Sequence, residues 1–159
     1  MQQQNKGQYM KRACELASRA VTEGAGGPFG AVVVKESKIV GEGYNRVTSM
    51  NDPTAHAEIL AIRDACKNLN SFQLSGCEIY SSCEPCPMCM GAIYWARPDR
   101  LYFSASRYDA AQAGFDDEFI YGELALPEQK RSIPVIRVPC PDSDEAFSFW
   151  KNKENKIEY

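Results

Sequence analysis

Two short stretches of the sequence carry side chains that bind metal ions. His56 is followed two positions later by Glu58, and Cys86 and Cys89 lie three positions apart further along the chain. At the start of a helix, this cysteine spacing places both sulfurs on one face. An imidazole and two thiolates can hold a zinc ion whose fourth position stays open to water, and a nearby carboxylate can carry protons. The residues therefore predict a hydrolytic site with a single zinc ion per chain, held by His56, Cys86 and Cys89, with Glu58 as acid and base.

The elements between the two stretches must bring them together. A helix predicted over 55–69 leads away from His56 for about 20 Å, and a strand predicted over 78–82 returns about 17 Å. Pro87 then begins a second helix that ends near Pro98. Two helix N-termini are thereby expected to converge on one metal ion, where their partial positive charge favours thiolate over thiol.

The rest of the chain alternates between helix and strand patterns, which predicts an α/β fold. Further helices are predicted over 8–23, 108–113, 118–124 and 144–153. Strands are predicted over 29–35, 39–44, 78–82, 100–104 and 133–138. The first two strands form a predicted hairpin, and the last strand, flanked by prolines, is expected at a sheet edge.

Composition limits the possible classes of protein. The chain has 159 residues with 44% hydrophobic composition, which predicts one domain spanning 1–159. It shows neither a signal peptide pattern nor an apolar run long enough to span a membrane, so we expect a cytoplasmic protein without a membrane partner. The seven cysteines are an odd number without secretory features, which favours thiols and metal over disulfides. The net charge of −3 argues against nucleic acid as a partner.

A closed, structural zinc site is the alternative from a different class of protein. Cys83 precedes Cys86 by three positions and could supply a further sulfur. Such a site would leave Glu58 without a role, and a chain of this length does not need a metal ion to fold. We therefore interpret Cys83 as a wall or packing residue at the end of a strand.

Around these residues the sequence resembles bacterial guanine deaminases of the cytidine-deaminase superfamily over nearly its whole length. The HxE and PCxxC motifs carry the resemblance to the superfamily. Five longer stretches carry the resemblance to guanine deaminases: GGPFGAV (26–32), NDPTAHAE (51–58), SCEPCPMC (82–89), GAIYWARP (91–98) and AGFDD (113–117). The resemblance implies a three-layer α/β/α fold around a mixed sheet of about five strands. It also implies zinc-dependent hydrolysis of guanine to xanthine and ammonia, a reaction of purine metabolism.

The same resemblance implies roles for five further residues. Asn45, Asp117 and Tyr159 correspond to positions that contact the purine, and Phe29 and Trp95 to positions that shape the pocket. By residue type alone, Asp117 could equally be a helix N-cap and Asn45 a turn residue, while the three aromatic residues could belong to the core or to a frayed terminus. The resemblance further implies a homodimer in which the tail, residues 152–159, is exchanged between subunits.

Other substrates remain as alternatives within the same chemistry. A tRNA adenosine deaminase is disfavoured by the acidic charge, and a cytosine deaminase by the AGFDD stretch. A guanosine deaminase would use identical metal chemistry and would differ only in the room left for the ribose.

Overall fold

The computed structural model describes residues 2–159, with side chains from residue 5 onward. These residues form two compact units, which divide between Asp117 and Glu118. The first unit contains α1 (Gln2–Thr22), β1 (Gly30–Lys35), β2 (Lys38–Tyr44), α2 (Val47–Met50), α3 (Ala57–Leu69), β3 (Cys77–Cys83), α4 (Pro87–Ala96), β4 (Arg100–Ala105) and α5 (Arg107–Gln112). The second unit contains α6 (Glu118–Ala125), a 3₁₀ turn (Glu128–Lys130) and α7 (Asp142–Asn152).

The first unit is built on a mixed four-stranded sheet in the order β2-β1-β3-β4. β1 pairs antiparallel with both β2 and β3, and β3 pairs parallel with β4. The β1–β2 hairpin closes through Glu36 and Ser37, which both have positive φ. The parallel pair is joined by α4, as parallel strands require a crossover connection.

Both faces of the sheet are covered, so the unit has three layers. Ala31, Val33 and Ile79 pack with residues of α3 and α4 in one core cluster. The alternate positions of the same strands, Val32 and Tyr80, pack against α1 in a second cluster. This alternation follows from the two-residue period of a strand. The α/β fold predicted from the sequence patterns, and the three layers that the resemblance implies, are confirmed.

Glycines in the sheet allow α3 to approach it closely. A Cβ placed on Gly43 would lie 2.3 Å from the Ala57 carbonyl oxygen, and one on Gly41 would lie 2.5 Å from the Ala61 carbonyl oxygen. Small residues on the facing side of α3, such as Ala65, complete this contact. The position of α3, and of the side chains at its N-terminus, is therefore fixed directly against the backbone of β2.

The prediction of about five strands was wrong, because the sheet has four. The segment 133–138, predicted as the last strand, has no regular secondary structure in the second unit, all of whose residues are described. Pro134 lacks a backbone N–H, and the second unit contains no strand that could pair with this segment. The β-branched composition alone therefore does not produce a strand here.

Helix α1 begins at Gln2, earlier than the predicted start at Gln8. Gly7 lies within this helix, where it costs only about 1 kcal/mol relative to alanine. The preceding glutamines are good helix formers, so the helix pattern continues on the N-terminal side of this glycine. The other predicted helices and strands lie within a few residues of their predicted bounds, whereas the short helix α2 and the 3₁₀ turn were not predicted. Across the described residues, no helix combines the length and apolarity that a membrane span needs.

Candidate metal and catalytic site

Three side chains that could bind a metal ion converge where α3 and α4 begin. His56 is the N-cap of α3, and Cys86 is the N-cap of α4, with Pro87 at its first position. Cys89 follows in the first turn of α4 and is fully buried. The ligating atoms of His56, Cys86 and Cys89 all lie within 4.8 Å of one another. The structure thus brings together the three predicted ligands.

The spacing of these atoms fits a tetrahedral zinc ion. His56 Nδ1 lies 3.5 Å from Cys86 Sγ and 3.6 Å from Cys89 Sγ. For Zn–S and Zn–N bonds of about 2.3 and 2.0–2.1 Å, a tetrahedral angle separates nitrogen from sulfur by about 3.6 Å. Cys83 is not part of this group, since its thiol donates a hydrogen bond to the Ser106 carbonyl at 3.5 Å. His56, Cys86 and Cys89 supply three ligands, so none of them occupies the fourth position of a tetrahedral ion.

The protonation of Cys86 also favours metal binding, whereas the hydrogen bond with Cys86 raises the pKa of Cys89. Hydrogen bonds from Cys89 and then from His56 lower the pKa of Cys86 to about 4, so that Cys86 is a thiolate at neutral pH. The hydrogen bond with Cys86 raises the pKa of His56. Burial, by contrast, raises the pKa of Cys83 to about 11, which keeps that thiol protonated. Thiolate is the form of cysteine that binds metal.

Glu58 lies beside this cluster, in the first turn of α3, and is only 5% exposed. Its Oε2 accepts a hydrogen bond from the Cys89 thiol at 3.3 Å, and its Oε1 accepts one from the Ser81 hydroxyl at 3.0 Å. Burial raises the pKa of Glu58, although both hydrogen bonds act in the opposite direction. A carboxyl group whose pKa is raised holds a proton more readily and is suited to take and return one.

The cluster opens into a cavity of about 420 Å³ within the first unit. His56, Glu58 and Cys86 line the cavity on the metal side, and Asn45 and Asp117 line it elsewhere. A volume of this size is typical of sites for small molecules. The cavity therefore has room for a small ligand beside Glu58, which lines it.

Asn45 is held in one orientation by backbone groups around it. Its side-chain oxygen accepts hydrogen bonds from the backbone N–H groups of Gly27 and Val47, both at 3.2 Å. The residue is 5% exposed and lines the cavity. With the oxygen engaged by the backbone, the amide NH₂ is the group that Asn45 can offer to a ligand.

Asp117 and two phenylalanines form other parts of the cavity wall. Burial, followed by the negative charge of Cys86, raises the pKa of Asp117. Phe29 and Phe115 meet edge to face, with ring centroids 5.0 Å apart. Both rings line the cavity and crowd Gly27, where an added Cβ would lie 2.9 Å from each ring. These aromatic surfaces can hold a planar ring.

Two further residues were predicted from the resemblance. Trp95 is on the outer side of α4, 64% exposed, and does not line the cavity. Tyr159 belongs to the second unit. Their roles in substrate binding therefore remain predictions.

The structure also adds residues that the sequence reasoning missed. Ser81, Glu84, Arg107 and Phe115 contact Glu58 or line the cavity. Ser81 gave no signal, because a serine in a strand does not reveal which face it occupies. Phe115 could have been found, since it stands within the AGFDD stretch beside Asp117.

Comparison with known proteins also indicates a zinc site in this chain. Residues 3–105 match the family described as the cytidine and deoxycytidylate deaminase zinc-binding region. Guanine deaminase from Bacillus subtilis (strain 168) is 54% identical over 151 residues, which cover 95% of this chain and 97% of that protein. Its crystal structure matches with a TM-score of 0.93 over 96% of this chain and 98% of that chain.

A second relative is named for a different substrate, adenosine in tRNA. The tRNA-specific adenosine deaminase from Aquifex aeolicus (strain VF5) is 37% identical over 150 residues, covering 94% of this chain and 96% of that protein. All of these proteins are similar to this chain over the region that contains His56, Glu58, Cys86 and Cys89. The chain belongs to the cytidine and deoxycytidylate deaminase family.

Proposed function

We propose that this chain is a zinc-dependent guanine deaminase, which hydrolyses guanine to xanthine and ammonia. The observation that carries the proposal is the buried Glu58 carboxylate beside the His56, Cys86 and Cys89 cluster. It lines a cavity in a chain 54% identical to a guanine deaminase over nearly its full length. Among the relatives compared, the tRNA-specific deaminase is more distant, at 37% identity.

In this proposal His56 Nδ1 and the sulfurs of Cys86 and Cys89 hold a single zinc ion per chain. When bound, the ion would supply a water of lowered pKa. The nitrogen–sulfur distances of 3.5 and 3.6 Å and the lowered pKa of Cys86 support this assignment. Cys83 has no part in holding the ion.

Glu58 moves the protons. Its carboxylate takes a proton from the attacking water as the water oxygen bonds to the ring carbon that bears the amino group. Glu58 then gives this proton to the neighbouring ring nitrogen and takes the second proton from the newly bonded oxygen. It delivers that second proton to the amine as the carbon–oxygen double bond forms, the carbon–nitrogen bond breaks and ammonia leaves. The overall reaction consumes one water and leaves the carboxylate in its initial state. Burial of Glu58 keeps competing bulk water away from these transfers.

The cavity wall supplies recognition of a purine base. Guanine carries N–H donors together with carbonyl and ring-nitrogen acceptors. The amide NH₂ of Asn45 can donate to an acceptor, and the Asp117 carboxylate can accept from an N–H. Phe29, with Phe115, provides a flat apolar wall for the ring. Trp95 and Tyr159 would complete the pocket in the assembled protein.

We further propose that the enzyme acts as a cytoplasmic homodimer, with residues 152–159 laid over the partner's site so that Tyr159 contacts the substrate. The resemblance to guanine deaminases supports this assembly. Exchange of an identical segment is a low-cost route to a dimer.

Ammonia release from a panel of substrates tests the function. The purified zinc-loaded protein is incubated separately with guanine, guanosine, adenine, cytosine, cytidine and a tRNA anticodon stem-loop. We expect turnover of guanine, and the guanosine arm measures whether ribose is tolerated. Deamination of the stem-loop without deamination of guanine would contradict the proposal.

A further inference from the structure

We propose that Ser81 is a positioning residue for Glu58. The Ser81 hydroxyl holds one oxygen of the Glu58 carboxylate, so that the other oxygen is left to carry protons. The inference depends on the proposed deaminase function, because it assigns a role within that reaction. It does not depend on any residue of the second unit.

Ser81 lies on β3, on the face of the sheet that α3 covers. Ile79, two positions earlier on the same strand, packs in the core cluster with α3 and α4. Ser81 is 1% exposed, and its Oγ donates to Glu58 Oε1 at 3.0 Å. A donor fixed on the central part of the sheet thus reaches a carboxylate carried by a helix.

The two carboxylate oxygens of Glu58 have different partners. Oε1 accepts from Ser81, whereas Oε2 accepts from Cys89 at 3.3 Å. A cysteine that binds a metal ion does so as a thiolate and has no proton to donate. In the metal-loaded protein, Oε2 therefore loses the Cys89 donor, and Ser81 remains the side-chain donor to the carboxylate among the bonds described above. Oε2 is then the oxygen available for proton transfer.

Holding Oε1 also restricts the movement of the Glu58 side chain. A glutamate has several rotatable bonds, and proton transfer requires the acceptor oxygen to stay within hydrogen-bond reach of the reacting group. Loss of the Ser81 hydroxyl would let the carboxylate occupy other positions in the cavity. The expected result is slower proton transfer with little change in how substrate binds.

The neighbouring serine provides a matched control. Ser82 is also buried, at 8% exposure, but it points to the opposite face of the sheet, and its hydroxyl oxygen accepts the backbone N–H of Gly30 at 3.0 Å. Ser82→Ala removes a buried hydroxyl from the same strand without touching Glu58. It therefore measures the general effect of such a loss on β3.

The experiment compares Ser81→Ala, Ser81→Thr and Ser82→Ala with the wild-type enzyme. For each protein we would measure kcat and KM for guanine, zinc content, the melting temperature, and the affinity for the product xanthine by calorimetry. Ser81→Ala is expected to lower kcat by about 10- to 100-fold, as removal of outer-shell partners does, with KM, zinc content and xanthine affinity near wild type. Ser81→Thr, which keeps the hydroxyl, should restore most of kcat. Ser82→Ala should keep kcat and lower the melting temperature.

Three results would overturn the proposal while leaving the deaminase function intact. These are a kcat for Ser81→Ala equal to that of Ser82→Ala, a fall in activity that follows loss of zinc, and a Ser81→Thr enzyme as slow as Ser81→Ala. If the wild-type enzyme itself did not release ammonia from guanine, the proposed function would fail first and the role of Ser81 with it.

Discussion

Cys83 and Cys86 stand three positions apart in the sequence, yet their sulfurs have different surroundings. Cys86 faces His56 at the start of α4, and its pKa is lowered to about 4. Cys83 ends β3, donates to a backbone carbonyl and has its pKa raised to about 11 by burial. Of the two, only the Cys86 sulfur is suited to bind a cation at neutral pH.

This difference predicts distinct effects of two serine substitutions. Cys86→Ser should lose most of the bound zinc, because an alcohol is a far weaker ligand than a thiolate. Cys83→Ser should keep close to one zinc per chain. Metal analysis of the two purified variants checks this expectation. Comparable zinc loss in both would instead favour the closed structural site.

A second prediction at this scale concerns Glu58. Glu58→Gln keeps the size of the side chain and can still accept from the Ser81 hydroxyl, but it cannot take up a proton. Turnover of guanine should fall by at least about 10²–10⁴-fold, while zinc content and melting temperature stay near wild type. Glu36→Gln, at the exposed hairpin turn, serves as the control for loss of a carboxylate. Near-wild-type turnover by Glu58→Gln would remove the assigned proton path.

The residues of this site differ in how far sequence could reveal them. His56, Glu58, Cys86 and Cys89 were predictable because metal chemistry demands particular side chains at particular offsets. Ser81 was not, because its role depends on which face of β3 it occupies and on the distance from β3 to α3. The orientation of Asn45 likewise depends on two backbone N–H groups, one from the loop that contains Gly27 and one from the first residue of α2.

At the scale of elements, the contact between β2 and α3 controls the position of His56 and Glu58. Gly43 lies directly under the first turns of α3, where an added Cβ would meet the Ala57 carbonyl oxygen and the Ala61 nitrogen at 2.3 and 2.5 Å. These are backbone atoms, which cannot move aside without moving the helix. A methyl group at this position must therefore displace the N-terminus of α3 from the sheet.

We therefore predict that Gly43→Ala weakens zinc binding although it touches no ligand. Overpacking of this kind costs about 1–3 kcal/mol, which should appear as a lower free energy of unfolding. Competition with a chelator would show the reduced zinc affinity. Gly7→Ala is the control, since nothing lies within 4 Å of a Cβ added there. A Gly43→Ala protein that bound zinc as tightly as Gly7→Ala would show that α3 tolerates the displacement.

Element types were predictable where the chain itself supplies the partner. The hairpin β1–β2 and the helices α3 and α4 were predicted closely, because local pattern and packing agree in them. The segment 133–138 has a strand-like composition, but a strand is stabilised by the neighbour with which it pairs. The second unit supplies no such neighbour, so composition and structure disagree there.

At the scale of the whole molecule, the proposed exchange of the C-terminal tail makes a direct prediction. Deletion of residues 153–159 should leave zinc content near normal, because the tail carries none of the three ligands. Guanine turnover should fall at least about fivefold, which corresponds to loss of a substrate hydrogen bond worth about 1 kcal/mol. Parallel measurements of zinc content and ammonia release on the truncated protein check both statements.

Mixed dimers test whether the tail acts on the partner. The truncated chain has an intact Glu58, and a full-length Glu58→Gln chain has an intact tail. If the tail acts in trans, mixing the two should restore activity in the site that combines both. Heterodimers that form but show no recovery would exclude the exchange and leave the deaminase function untouched.

The single histidine of this chain turns the site into its own spectroscopic probe. His56 directs Nδ1 toward both sulfurs, so binding of an ion at Nδ1 leaves the ring proton on Nε2 and fixes one tautomer. In an untagged protein, the long-range proton–nitrogen NMR spectrum of the imidazole region would contain signals from this ring alone. Their nitrogen shifts would report the tautomer and the fraction of protein that carries metal, without any resonance assignment.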